Sequence, residues 1–277
     1  LKTDIPTEFY KYYSLSNYSL SSLTNNNIHF SHPYTLNDIM DGNLQLWDLR
    51  EFYLNFIEET KSEISQQELS KIILQEHSNE YYKHRGVLCL TDSYDNNLFW
   101  PHYTSEQGFC IEFDSDKFLK SFESEEIMTF PISYEPLKRI NLNDHIIKTL
   151  QKTKVEIKID LPLLYALSFK DKIWEYENEW RILLKKENLG EISHPLNPIS
   201  DIKYDDEKKN IQNRNISFDG NSVNKIILSI LFFNKERFNS QKLLDEGDYV
   251  FFFRKKHSSD HLLLLKFLKT LKDKFND

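Results

Sequence analysis

Three short stretches of the sequence set residues that can do chemistry beside aromatic rings. The densest is Trp174-Glu175-Tyr176-Glu177-Asn178-Glu179-Trp180-Arg181, where a carboxylate recurs at every second position. In an extended segment Glu175, Glu177 and Glu179 would project to one side. Carboxylates so close raise one another's pKa unless a cation, a metal or a functional use compensates them. Such a set can stabilise a developing positive charge and orient an acceptor, or it can be a solvated turn before a strand, with Arg181 paired to one of the carboxylates as a strut at the strand entrance. The second stretch, Trp100-Pro101-His102-Tyr103, offers His102 as a general acid or base, as a positioning donor, or as a histidine bonded to backbone. The third is Tyr10-Lys11-Tyr12, followed by His32, Asn37 and Asp38. Lys11 can meet a phosphate, and Tyr10 or Tyr12 can stack on a ring. Asn37 and Asp38 can bind a ligand, or cap a turn after Pro33. His257 and His261 stand four apart with no third ligand and read as surface residues.

The chain that must position these residues has 277 residues and a formal net charge of −8. An acidic balance argues against a surface that tracks a nucleic-acid backbone throughout, and leaves room for a local basic groove. With 39% hydrophobic and 14% aromatic residues, the composition is that of a folded chain. Its apolar stretches, 226–228 and 230–233 among them, are too short to cross a bilayer, so no membrane partner is expected. No basic and apolar leader pattern opens the sequence, and Cys89 and Cys110 each sit in an apolar run. Both features suit a cytoplasmic protein with reduced thiols. Six glycines in the whole chain leave no glycine-rich phosphate loop, and GxSxG, HExxH and calcium-loop patterns are absent. No resident metal is expected.

The element pattern is that of a single α/β (α+β) domain over residues 1–277, with a central mixed β-sheet, helical insertions and a C-terminal amphipathic helix. Strands are expected at 8–13, 28–31, 86–91, 108–113, 127–134, 180–184, 225–231 and 249–254. Ser16 suits the cap of a short helix to Leu23, and another short helix is expected over 98–103. Helical periodicity marks an insertion at about 44–83, and a broken pattern covers 144–164. From 187 to 221 the composition is that of loop. Ser259 can cap a helix at about 259–275, with Leu262, Leu265, Leu268, Leu271 and Phe275 as the stripe that docks on the sheet.

In order along the chain, these stretches resemble a bacterial family known as domain of unknown function 2971. The resemblance rests on Tyr10-Lys11-Tyr12-Tyr13-Ser14, Leu36 to Asp41, Leu98 to Tyr103, Gly108 to Asp114, and Trp174 to Arg181, and spans about 9 to 230. The chain departs from the family pattern at Tyr13, Ile39, Met40, Pro101 and Ser229, which stand where that pattern has Arg, Pro, Phe, Ser and Gly. A second similarity, to ADP-ribosyltransferases, lies in the order of Tyr10-Lys11-Tyr12, Ser31-His32-Pro33 and Glu177-Asn178-Glu179. That family carries an aromatic and basic first strand, a serine-bearing second strand and a catalytic E-x-E.

The second resemblance implies an NAD-consuming transferase or glycohydrolase, with NAD as substrate and a protein or nucleic-acid acceptor. The first implies a bacterial origin and a role in defence against phage or in a toxin-like system. Glu179 would stabilise the ribosyl cation and Glu177 would orient the acceptor, with His102 completing the catalytic set. Tyr10, Lys11, Tyr12, Asn37, Asp38, Trp100, Tyr103 and Arg181 would line the site. Two other classes fit the same residues. One is a non-enzymatic module that senses a nucleotide or a protein segment. The other is a metal-dependent nuclease built on Asp38, His102, Glu177 and Glu179.

Overall fold

A computed structural model of the chain describes residues 4–38, 41, 54, 57–58, 65–76, 82–135, 161–190, 210–229, 232 and 266–270. Alternating polar and aromatic residues form β1 (Glu8–Tyr13), a strand with two different faces. Ser16 closes a capping box with Ser19 and opens α1 (Asn17–Asn25), which stops where Asn26 turns left-handed at φ 49°. β2 (Asn27–His29), α2 (Gln66–Glu76) and β3 (Arg85–Thr91) follow. Next come α3 (Phe99–Thr104), β4 (Phe109–Asp114), α4 (Ser115–Lys120), β5 (Glu126–Pro131) and β6 (Ser133–Glu135). The last described elements are α5 (Leu161–Ser168), β7 (Phe169–Asp171), a 3-10 helix (Lys172–Glu177), β8 (Glu179–Lys185), β9 (Asn215–Ser217), a second 3-10 turn (Gly220–Ser222) and β10 (Val223–Leu228).

The α/β class expected from the sequence is the one adopted. Six strands hydrogen-bond in the order β10-β4-β1-β3-β8-β5, and β1 with β3, β1 with β4, β4 with β10 and β5 with β8 run antiparallel. The parallel pair β6 and β7 forms a separate two-stranded sheet. The chain divides into two compact units.

The first unit comprises residues 1–5, 29–89 and 123–215. Its spine is β8, buried from Glu179 to Leu184 and paired along its length with β5, from Glu126 opposite Lys185 to Pro131 opposite Trp180. Arg214 is fully buried here and donates to the carbonyls of Arg85 and Gly190, tying the start of β3 to the turn after β8.

The second unit comprises residues 6–28, 90–122 and 216–277. The register of β1 on β4 sets Phe9 opposite Phe113 and Tyr13 opposite Phe109 on one face, and Tyr10 opposite Glu112 on the other. The first face builds an aromatic core in which Phe113 meets Phe118 and Phe218. Residues 266–270 are helical, and Phe267 packs on Phe109 and Phe232. Of the helix expected at about 259–275, the residues described are 266–270, where Phe267 is buried and Leu268 is half-buried.

Most of the insertion expected at 44–83, the segment 144–160, the strand expected at 249–254 and the remainder of 259–275 lie outside the described residues. The stretch expected to be loop contains β9, a three-residue strand too short to show a period.

Candidate functional site

In the first unit, Glu177 and Glu179 are brought together by a turn. Of the two arrangements the sequence leaves open, an extended segment and a turn before a strand, the chain takes the turn. Glu175 and Glu177 belong to the 3-10 helix, whose start is capped by Asp171 accepting from the Ile173 N–H at 2.9 Å. Asn178 then takes the left-handed conformation at φ 42°, and β8 begins at Glu179. Asparagine is among the few residues that adopt that conformation readily. Glu175 stays exposed, while Glu177 and Glu179 are 2% and 5% exposed.

Both buried carboxylates converge on Lys170 of β7. Its Nζ donates to Glu177 Oε2 at 2.5 Å and to Glu179 Oε2 at 2.9 Å, and it lies 5.1 Å from the centre of the Trp174 ring. On the far side of Glu179, Arg181 donates from Nε to Oε1 at 2.7 Å and from a terminal nitrogen to Oε2 at 3.2 Å. Arg181 also forms two bonds to Asp41, at 2.8 and 2.6 Å, and one to the Leu167 carbonyl at the end of α5, at 2.9 Å. A guanidinium there satisfies a carbonyl that the helix leaves open. The backbone of Glu179 is fixed as well: its N–H donates to the Tyr134 hydroxyl at 2.7 Å and its carbonyl accepts from Ile132 at 2.9 Å.

The electrostatics follow from this geometry. Burial acts to raise the Glu179 carboxyl, and Arg181 with Lys170 overcomes it, holding the group well below the ordinary carboxylate range. Burial acts to lower the Lys170 ammonium, and Glu179 with Glu177 holds it above its ordinary value. At Asp41 burial prevails over the pull of Arg181, and the carboxyl is raised. With Lys170 and Arg181 against Asp41, Glu177 and Glu179, the formal charges leave one negative charge in surplus.

Arg181 is thus paired with Glu179, while Glu177 pairs with Lys170. Within the 36–41 motif, Asp41 is the residue that reaches Arg181. Asp38 takes part in the turn that delivers it, accepting from the Asp41 N–H at 3.0 Å, and Asn37 is exposed. Lys170 and Tyr134 carry the site and lie in none of the motifs quoted from the sequence, and Asp41 closes the 36–41 motif, where Asn37 and Asp38 are the expected site residues. A lysine nine residues before Glu179 and an aspartate 140 residues before Arg181 offer no local pattern. Among the described residues, no group of three or more His, Cys, Asp or Glu is arranged to hold a metal ion. The cation between Glu177 and Glu179 is the Lys170 ammonium.

The second unit gathers the other expected residues. Tyr10 and Tyr12 share one face of β1, and strand alternation puts Lys11 on the opposite face. Lys11 therefore stands apart from the two tyrosines on β1. Tyr10 meets the Tyr94 ring with centres 5.5 Å apart, and Tyr12 meets Phe99 and Trp100, each at 4.9 Å. The Tyr12 hydroxyl donates to the Tyr94 carbonyl at 2.6 Å. Trp100 and Tyr103 are half-buried on α3. His102 is exposed rather than packed between strands, because a one-and-a-half-turn helix laid on β1 turns it outward, where it meets Tyr103 edge-on at 4.9 Å. Below these rings, Glu112 is buried and accepts from the Tyr10 hydroxyl at 3.3 Å and from Lys225 at 3.0 and 3.1 Å.

A family model described as protein of unknown function (DUF2971) matches residues 99–182. Over that stretch the chain is similar to the family, and the match takes in α3, β4, Lys170, Glu177, Glu179 and Arg181. The motifs at 10–14 and 36–41 lie outside it. No curated protein and no solved structure matches the chain. Among the described residues no helix is long and apolar enough to cross a membrane.

Proposed function

We propose that the first unit carries the reacting groups of an NAD-consuming enzyme, an ADP-ribosyltransferase-like or glycohydrolase activity. The observation that carries this reading is the surplus negative charge of the Asp41, Glu177, Glu179, Lys170 and Arg181 group, with Glu179 held ionised inside the protein. Cleavage of the ribosyl–nicotinamide bond sends its electron pair to the departing nicotinamide and leaves positive charge on the ribosyl carbon. A fixed carboxylate in a low-dielectric surrounding stabilises that charge strongly, because its dipolar partners need no reorganisation. In this reading Glu179 faces the developing cation. Glu177 takes the proton of the acceptor, water or a side chain, as its oxygen or nitrogen bonds to the ribosyl carbon. Lys170, Arg181 and Asn178 are positioning residues.

The test is nicotinamide release from NAD by the purified protein, with and without protein and nucleic-acid acceptors, beside Glu179→Gln and Glu177→Gln variants assayed at a temperature where circular dichroism shows each of them folded. Release that vanishes in Glu179→Gln and persists at a reduced rate in Glu177→Gln is the expected result. Equal release by wild type and Glu179→Gln removes the reading.

One observation favours a second reading, a recognition module without turnover. Both oxygens of Glu179 are already engaged by Arg181 and Lys170, as they would be in a strut. Stoichiometric binding of a nucleotide with no nicotinamide release is its expected signature.

A further inference from the structure

The face of β1 that carries Tyr10 and Tyr12 supports an arc of four rings. Tyr94 leans on Tyr10, and Trp100 meets Tyr12 edge-on at an interplanar angle of 76°. The ends of the arc reach solvent: Tyr94 is 46% exposed and Trp100 is half-buried. The middle is fixed, because Tyr12 bonds to the Tyr94 carbonyl and Ser14 to the Tyr103 carbonyl at 2.8 Å. Aromatic faces of this kind attract flat groups and cations.

The charges around the arc select between those two. Glu112 accepts from the Tyr10 hydroxyl, the two-residue period of β1 puts Glu8 on the face of Tyr10, and Asp95 follows Tyr94 in the chain, so carboxylates dominate. Lys225 neutralises Glu112, which it reaches because a register shift between Val223 and Lys225 sets the lysine opposite it. Glu8 and Asp95 have no cationic partner among the described residues. Lys11, the cation of β1, lies on the opposite face. A phosphate would meet two uncompensated carboxylates here, whereas a cation would meet ring faces and negative charge together.

We propose that the Tyr94, Tyr10, Tyr12 and Trp100 arc is a binding site for a planar organic cation, a guanidinium or a pyridinium. A flat cation presents its face to the rings and keeps its edge toward Asp95 and Glu8, a combination that a compact ammonium does not offer. The inference stands apart from the catalytic reading, since it needs no bond to break.

Calorimetric titration of the purified chain with agmatine and with 1-methylnicotinamide tests it, with neutral nicotinamide and putrescine as controls. Saturable binding of at least one planar cation is expected, with at least tenfold weaker binding of both controls. Affinity should fall as salt is raised from 0.05 to 0.5 M, as for an exposed charge pair (roughly severalfold). Trp100→Ala should weaken it about tenfold. Tyr94→Ala, on the exposed loop and therefore harmless to folding, should weaken it about threefold, and Asp95→Asn should remove part of the salt dependence. The relative strength of the two cations tells a guanidinium source from a pyridinium source. Binding of nicotinamide as tightly as of its methylated form, binding indifferent to Tyr94→Ala, or no binding of either cation overturns the proposal. Cation binding without nicotinamide release would leave this site in place and remove the catalytic reading.

Discussion

Arg181 and Asp41 face each other with two nearly parallel bonds, 2.8 and 2.6 Å, between residues 140 positions apart. Arg181 is fully buried, so the pairing replaces all of its water on that side. Removing the partner leaves an ion in the interior with part of its hydrogen bonding gone. Asp41→Asn keeps the shape and loses the charge, and it should destabilise the chain by about 3–5 kcal/mol, the usual cost of breaking a buried pair. Urea denaturation of the variant beside wild type measures it; a loss below about 1 kcal/mol would mean that Arg181 is solvated in some other way.

Lys170 holds two carboxylates at once, so its loss should act through their repulsion. Lys170→Met removes the ammonium and keeps most of the aliphatic stem. Glu177 and Glu179 then share a buried space without their common cation, and one of them should take up a proton near neutral pH. The variant should be destabilised by about 3–5 kcal/mol at pH 8 and recover part of that loss at pH 5. Thermal melting at the two pH values checks it, and an equal loss at both would show that the carboxylates had moved apart.

The pH dependence of the native chain follows from Glu179 and Lys170. The Glu179 carboxyl is held low in the folded state, chiefly by Arg181 and Lys170 acting against burial. As pH falls, the unfolded chain takes up this proton first. The stabilisation is whole above the unperturbed value, about 4.3, and drains away below it. Lys170 is held high, so its contribution is whole below about 10.4 and is lost as pH climbs further. Asp41, raised by burial, titrates with the opposite sign on the acid side. Subtracting the stability curve of Glu179→Gln from that of wild type between pH 2.5 and 6 therefore isolates Glu179, and the difference should shrink as pH falls. A flat difference would mean that the carboxyl has no special partner.

Much of the scaffold was legible in the sequence, for identifiable reasons. β1 announces itself by polar and aromatic alternation, β3 and β4 by short apolar runs between turns, and α1 by Ser16 as its cap. β7 and β9 have three residues each and carry no period. The acidic cluster was legible as a place where charge must be compensated, while its compensation was not. Lys170 and Asp41 reach it through tertiary folding, and the alternation of glutamates, which fits a strand or a turn, is a 3-10 turn closed by Asn178. The separation of Lys11 from Tyr10 and Tyr12 is written in the two-residue period of β1 itself.

Asn178 decides whether Glu177 and Glu179 can meet. Its φ of 42° joins the 3-10 helix to β8, and its N–H bonds back to the Glu175 carbonyl at 3.3 Å. A β-branched side chain is disfavoured there, so Asn178→Val should cost about 1–2 kcal/mol, while Asn178→Gly, free of that penalty, should change stability by less than about 1 kcal/mol. If the catalytic reading holds, Asn178→Val should also lower nicotinamide release more than Asn178→Gly does. Equal stability of the two variants would show that the turn can take another path.

In the second unit the tightest backbone approach is at Gly108, just before β4. A Cβ there would lie 2.0 Å from the Tyr13 carbonyl oxygen and 2.7 Å from Thr104 Cβ, so neither β1 nor α3 leaves room for it. The Gly108 carbonyl also accepts from the Ser229 N–H at 3.0 Å, which ties the end of β10 to the same point. Gly108→Ala must therefore push the end of β1 away from α3, against backbone that cannot yield as a flexible side chain would. Overpacking of this kind costs about 1–3 kcal/mol, and here the upper part of the range is expected. Because the displaced elements carry Tyr12 and Trp100, the same substitution should weaken binding of a planar cation at the aromatic arc even at temperatures where the variant is folded. Calorimetry on the variant at 10 °C checks it; wild-type affinity in a destabilised protein would show that the arc is held independently of the Gly108 junction.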